Sequence, residues 1–204
     1  MTTSDLRTLL RRDSAVLHAT LDKGIGHLTD AADYRRYVLG SHAFRASLEP
    51  ALSNAEAATG WQPLLLEAEL YGDLAALGLC AMTPLVAPPL ESEASLIGAL
   101  YVLEGSSLGA VLLSRQAAVL GFDATRGALH LARQTHDPRR WTAFQHVLQQ
   151  PNVDRDEACT AARAVFRLAL AAFSVSAPAT GEVCLDDCRY AIERAACRGH
   201  RALE

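Results

Sequence analysis

His18 and Asp22 are the pair of residues whose types and spacing first suggest chemistry. They lie four positions apart, so a helix would place them on one face, one turn apart. A histidine that ligates a metal keeps one ring nitrogen free and donates its other N–H to an acceptor, which the Asp22 carboxylate could provide. Arg11 shares that face and could pair with a carboxylate of the same ligand. The pattern predicts a metal-binding histidine, and an ordinary surface ion pair is the alternative.

A second candidate site lies in residues 103–110, which read LEGSSLGA inside a long helical pattern. Each glycine inside a helix costs roughly 1 kcal/mol relative to alanine. Gly98, Gly105 and Gly109 are spaced so that they share one helix face, which leaves a stretch of backbone without side chains. That face suits either close packing of a neighbouring helix or a flat ligand lying against bare backbone. The spacing alone leaves both open.

The cysteines are a third group to consider as metal ligands. Five cysteines in a chain of this length are too sparse for a disulfide-stapled secreted domain, and their odd number favours reduced thiols. The last three and a nearby histidine have the spacing C-x3-C-x8-C-x2-H, which lacks the close CxxC pair of most zinc sites. We expect core residues here, with a zinc site as the alternative. The residues concerned are Cys184, Cys188, Cys197 and His200.

The elements that must position these residues are predicted to be helices throughout. Alanine and leucine dominate, and aromatic residues make up only 6% of the chain, a balance that favours helix over sheet. Caps and chain breakers predict about seven helices. Their expected ranges are about 4–21, a helix between Thr29 and Gly60, 61–80, 92–120, one opened by Asp137 and Pro138 and ending near 149, 153–175 and 185–199.

Length, composition and charge also limit the classes of protein to which the chain can belong. A chain of 204 residues, half of them hydrophobic, is long enough for one sizeable core and predicts a single domain. The net charge of -4 argues against nucleic acid as a partner. The first residues lack the apolar core of a signal peptide, and no apolar run approaches the roughly 18–20 residues that span a bilayer. We therefore expect a cytoplasmic protein without a membrane-spanning segment.

Two separated motifs give the chain a resemblance to bacterial haem oxygenases. VLHATLD at residues 16–22 is similar to the proximal helix of that family, and ALYVLEGSSLGA at 99–110 resembles its distal helix. GALHL at 127–131 and WTAF at 141–144 resemble the region that follows. The resemblance implies an all-α, single-domain fold over residues 1–204, with haem between a proximal helix and a kinked distal helix. Residues from about 180 onwards, which the resemblance does not cover, are expected to form a C-terminal helix or extension.

On one side of the haem, the resemblance implies a role for each matching residue. His18 is expected to be the proximal ligand of the haem iron, and Asp22 the carboxylate that orients it. Arg11 is expected to meet a haem propionate. Tyr101 falls where family members have a tyrosine near the haem edge, and Phe166 is expected to form a pocket wall.

On the distal side, Gly105, Ser106 and Gly109 match the flexible part of the helix that covers the haem. His130 matches a histidine in the distal water network of some bacterial members. Ser106 stands where the mammalian branch has an aspartate that organises water. For this reason we expect His130 to carry the distal proton network.

The family reaction consumes haem, which is both substrate and cofactor, together with O2, and releases biliverdin, CO and ferrous iron. No G-x-G-x-x-G motif follows a predicted strand, so electrons must come from an external donor, a ferredoxin or an NADPH-dependent reductase. A biliverdin-binding photoreceptor is a candidate recipient of the product, and we expect a monomer. The alternatives are a non-catalytic protein that stores, transports or senses haem, and a helical interaction domain. A di-metal oxidase is disfavoured because the chain has no Glu-x-x-His motif.

Overall fold

The computed structural model describes residues 5–149 and 152–175. The described residues form helices and connecting turns, with no strand among them, which confirms the predicted all-α class. The helices are α1 (Leu6–Ile25), α2 (Ala31–Leu48), α3 (Ala55–Thr59), α4 (Glu67–Ala76), α5 (Glu93–Val119), α6 (Leu129–Gln134), α7 (Arg140–Val147) and α8 (Arg155–Val175), with a 3-10 turn at Glu49–Leu52.

The helices that bear the predicted site begin at capping side chains. Asp5 precedes α1 and accepts a hydrogen bond from the Thr8 amide at 2.7 Å. Ser92 and Ser95 form a reciprocal capping box at the start of α5. Such caps satisfy amides that have no partner inside the helix, so local sequence sets where each helix starts.

Helix α8 is the centre of the packing, because α1, α2 and α5 all pack against it. Its buried face includes Ala158, Ala162, Val165 and Ala169. The small side chains allow the neighbouring helices to approach closely. This arrangement leaves α1 and α5 on either side of a common space, which is where the candidate site forms.

The face predicted to be shared by three glycines has two different uses. A Cβ atom at Gly98 would lie 2.2 Å from the carbonyl oxygen of Ala158, so this glycine allows α5 to pack on α8. At Gly109 a Cβ atom would meet nothing within 4 Å, and at Gly105 it would make only ordinary contact with the Trp141 ring. Of the two uses that the sequence left open, close helix packing therefore applies at Gly98, whereas Gly105 and Gly109 leave bare backbone.

Gly98→Ala is expected to lower the free energy of unfolding by about 1–3 kcal/mol, because the added methyl overlaps backbone that cannot move aside without separating two helices. Gly109→Ala is the matched control on the same helix. It should leave stability unchanged or raise it by up to about 1 kcal/mol, the helix preference of alanine over glycine. Chemical denaturation of both variants checks this, and equal losses in the two would contradict it.

Several predicted helix boundaries were wrong: the helix expected between Thr29 and Gly60 is broken into α2, the 3-10 turn and α3, and two others start later than expected. The helix expected over 61–80 is α4 and starts only at Glu67, since Pro63 disfavours helical backbone at the preceding residue. Asp137 does not cap α7, which begins at Arg140; its carboxylate instead accepts a hydrogen bond from the Arg139 amide at 2.9 Å. The helix expected at 185–199 and the three C-terminal cysteines lie outside the described residues.

Helices α5 and α8 are each long and apolar enough to cross a membrane by length and composition. Half of the apolar window of each helix is buried inside the protein, and the two helices pack against each other. The core helices of a globular domain have this same character, so their apolar composition is accounted for by the packing of this fold.

Candidate active site

One cavity of about 870 Å³ lies between α1 and α5, and α2, α6, α7 and α8 contribute to its walls. The nine residues that the resemblance assigned to the haem site all line this cavity. The lining includes Arg11, His18, Asp22, Tyr101, Gly105, Ser106, Gly109, His130 and Phe166.

His18 forms the α1 side of the cavity together with two neighbours. Its Nδ1 lies 2.9 Å from an oxygen of Asp22, one helical turn further along. The ring of Phe166 on α8 stands edge-on to the imidazole, with ring centroids 5.6 Å apart. Because Nδ1 is paired with the Asp22 carboxylate, Nε2 is the ring nitrogen that remains for a ligand. The imidazole is 59% exposed, so an ion pair alone would leave it loosely held.

Two arginines of α1 stand at the same cavity. Arg7 and Arg11 are exposed residues one turn apart, and both line it. Burial raises the pKa of Tyr101 on the facing helix, while a hydrogen bond to Ser14 and the charges of these arginines oppose that rise. Sequence reasoning missed Arg7, although its i, i+4 spacing to Arg11 was a usable signal. The pair forms a cationic edge suited to carboxylates.

The α5 side of the cavity is bare backbone beside an anchored serine. The hydroxyl of Ser106 donates to the carbonyl oxygen of Leu103 at 2.6 Å and accepts a hydrogen bond from Nε2 of Gln134 at 2.7 Å. The proton of this hydroxyl is therefore committed to the helix backbone. Ser106 does not have a free donor to offer the cavity, and its contribution is to hold Gln134 in the wall.

His130 lies deeper and is almost fully buried, at 1% exposure. Its Nδ1 lies 2.6 Å from Oδ2 of Asp73, a buried residue of α4. Burial lowers the pKa of His130, and the hydrogen bond and charge of Asp73 oppose that shift. Nothing in the sequence indicated Asp73, since it comes from a helix more than fifty residues earlier in the chain.

Helix α2 adds a group of polar residues that sequence reasoning also missed. Tyr37, Ser41 and Arg45 recur at four-residue spacing and all line the cavity. Burial raises the pKa of Tyr37 to about 12, so its hydroxyl keeps its proton at neutral pH. The buried guanidinium of Arg45 is held by the Leu64 carbonyl oxygen at 2.9 Å and by Glu49 at 3.3 Å. This end of the cavity is therefore polar.

Immediately before Gly105, a buried carboxylate ties α5 to its surroundings. Glu104 is 3% exposed and accepts two hydrogen bonds at 2.7 Å from the guanidinium of Arg140 on α7. It also accepts one from the indole N–H of Trp61 at 2.9 Å. The Arg140 guanidinium lies 4.9 Å from the Trp61 ring centroid. These contacts hold Glu104, and with it the segment from Gly105 to Gly109, in position beside the cavity.

Comparison with known proteins places the chain among relatives of one kind, although no family model matches it. A haem oxygenase of Xanthomonas campestris pv. campestris (strain 8004) is 32% identical over 149 residues, covering 70% of this chain and 89% of that protein. The haem oxygenase PigA of Pseudomonas aeruginosa is 31% identical over 137 residues, covering 64% of this chain and 69% of that protein.

Among solved structures, the NO- and CO-bound haem oxygenase from Neisseria meningitidis matches with a TM-score of 0.69. The match covers 90% of this chain and 98% of that one, at 24% sequence identity. At that identity the likeness shows a common fold.

Proposed function

The chain belongs to the haem oxygenase family and is an enzyme that cleaves haem with O2, and we propose that the cavity between α1 and α5 is its active site, with His18 as the proximal iron ligand. The observation that carries the proposal is that the His18–Asp22 pair and the bare backbone at Gly105 and Gly109 line one cavity from two separate helices.

The residues of the cavity fit haem in their chemistry. A volume of about 870 Å³ lies within the range of roughly 300–1,000 Å³ typical of ligand and cofactor sites. A neutral imidazole is a common iron ligand, and its other ring N–H is held by a carboxylate, a backbone carbonyl or water; here Asp22 is in place to hold it. Arg7 and Arg11 provide positive charge for the two propionates. The flat glycine backbone suits a planar macrocycle.

When bound, haem supplies the iron that activates O2 and the meso carbon that is oxidised, so that biliverdin, CO and ferrous iron are released. Asp22 lies 2.9 Å from Nδ1 of His18 and would orient the ring, so that Nε2 would be the nitrogen that holds the iron. The backbone at Gly105 and Gly109 allows close approach on the distal side. Arg7 and Arg11, which line the cavity, would hold the haem by pairing with its propionates. Ser106 and Gln134 hold the wall beside it.

Electrons come from a separate protein in this proposal, a ferredoxin or an NADPH-dependent reductase, because the sequence carries no dinucleotide-binding motif. We infer that the enzyme works in the cytoplasm as a monomer, and that a biliverdin-binding photoreceptor is a candidate recipient of its product. Half of the apolar window of α5 and of α8 is buried inside the protein, which supports their assignment as core helices.

Reductive turnover tests the function directly. Haem-loaded protein, supplied with a ferredoxin reducing system and O2, is expected to lose its Soret absorbance while biliverdin and CO form in equal amounts. Omitting the reductant should leave the spectrum unchanged. A haem complex that persists unaltered through many minutes of reduction in air would instead identify a storage, transport or sensing protein. Family membership favours turnover.

A further inference from the structure

The buried carboxylate of Asp73 makes three polar contacts with the start of α6, two of them with backbone amides and one with the His130 ring. Oδ1 of Asp73 accepts a hydrogen bond from the Leu129 amide at 2.9 Å, and Oδ2 accepts one from the His130 amide at 2.9 Å. Oδ2 also lies 2.6 Å from Nδ1 of the His130 ring. One carboxylate thus anchors both the first turn of α6 and the side chain of His130.

The chemistry of this contact decides which ring nitrogen carries the proton. An ionised carboxylate only accepts hydrogen bonds, so Nδ1 of His130 must be the donor. Burial lowers the pKa of His130, and the buried cation of Arg45 on α2 acts in the same direction. A neutral ring holds a single proton, and with that proton on Nδ1 the other nitrogen carries a lone pair.

That other nitrogen, Nε2, is fully buried and has no hydrogen-bond partner among the described residues. Buried polar atoms without partners are rare, because each costs about 1–3 kcal/mol in lost hydration. His130 lines the cavity at its polar end, where Ser41, Arg45 and Gln134 also stand. Cavities whose walls carry several polar groups commonly hold ordered water.

We propose that Asp73 is a positioning residue that holds His130 as the Nδ1–H tautomer, so that Nε2 presents a hydrogen-bond acceptor to a water in the distal half of the cavity. The water donates one O–H to Nε2 and keeps its lone pairs and second O–H for the cavity. His130 thereby fixes the orientation of that water and offers no acid of its own. This inference deepens the proposed function, and its first test does not depend on haem.

The tautomer is measured on the haem-free protein at neutral pH, with ¹⁵N-labelled histidine and two-bond ¹H–¹⁵N correlation. The wild-type spectrum is expected to show His130 protonated at Nδ1 and unprotonated at Nε2. Observation of the Nε2–H tautomer, or of the doubly protonated ring, would overturn the proposal without any variant. Because this readout needs neither haem nor turnover, failure of the proposed function would leave it unaffected.

Asp73→Asn tests the origin of the tautomer. An amide has one oxygen where the carboxylate has two, so the backbone and ring donors compete for it, and the Nδ1–H form should give way to a mixture. Glu69→Gln is the matched control, because Glu69 joins the same two helices through Arg133 at 3.1 Å without touching His130. A folded Asp73→Asn variant with the wild-type tautomer would show that Asp73 does not set it.

The effect on the reaction is measured in the haem-loaded enzyme. Asp73→Asn is expected to lower kcat about tenfold with KM little changed, the value of one oriented hydrogen bond. The Glu69→Gln enzyme should keep wild-type kcat. An unchanged kcat in an Asp73→Asn variant whose tautomer has shifted would show that the acceptor plays no part in turnover.

Discussion

His18→Ala is expected to abolish haem cleavage, lowering biliverdin formation by more than about a hundredfold. The reason is that losing only the group that orients a metal-bound histidine already costs about 10- to 100-fold in metal affinity or activity. Asp22→Asn, which keeps the ligand but weakens the acceptor at Nδ1, should fall within that smaller range. Haem titration followed by the Soret band, together with the turnover assay, measures both variants.

The control for this experiment is His136→Ala, which removes an exposed histidine of the described chain that lies outside the cavity. It should bind and cleave haem like the wild type. Added imidazole is expected to restore the ferric haem spectrum of His18→Ala, because it supplies the missing nitrogen to the space that the substitution opens. Wild-type spectra and turnover in His18→Ala would refute the assignment of this residue as the iron ligand.

The second large effect is expected at Glu104. Glu104→Gln removes the negative charge but keeps the shape, and it leaves the Arg140 guanidinium without its carboxylate partner. Breaking a buried ion pair from one side costs about 3–5 kcal/mol, and the lower end applies because Arg140 is 20% exposed. The free energy of unfolding, measured by chemical denaturation, should fall by about 3 kcal/mol.

A double variant separates the ion pair from the packing around it. Glu104→Gln combined with Arg140→Met removes both charges and should recover part of the loss, since no buried charge is then left unpaired. Arg126→Ala, which removes an exposed ion pair with Asp123, is the control and should leave stability unchanged. Losses that simply add in the double variant would show that Glu104 and Arg140 are not coupled.

The Glu104 contacts also connect stability with the reaction. Glu104 directly precedes Gly105, and the ring of Trp141, next to Arg140, lies beside that glycine. Loosening the ion pair should therefore let the glycine segment shift relative to the cavity. In Glu104→Gln we expect weaker haem binding as well as lower stability, whereas the main effect of Gly98→Ala should be on stability.

Local sequence was sufficient for the features that depend on spacing along one helix. The His18–Asp22 pair could be recognised because residues four apart in a helix must face the same way. The all-α class followed from composition, and the start of α5 from its capping residue Ser92. The two motifs, taken in order along the chain, were enough to indicate the family that the comparisons then showed.

Tertiary structure alone decided which residues from different helices meet. Gly98 and Gly109 look alike in the sequence, yet only Gly98 lies against the backbone of α8, because the crossing point of two helices depends on the packing of both. Asp73 has no motif, and its contact with His130 exists because α4 and α6 pack together. Spacing within a helix is a local property of the chain, whereas a buried pair between helices is a property of the packed core. The sequence by itself therefore identified His18 as a candidate iron ligand, and the fold supplied the buried polar residues in the wall of the same cavity.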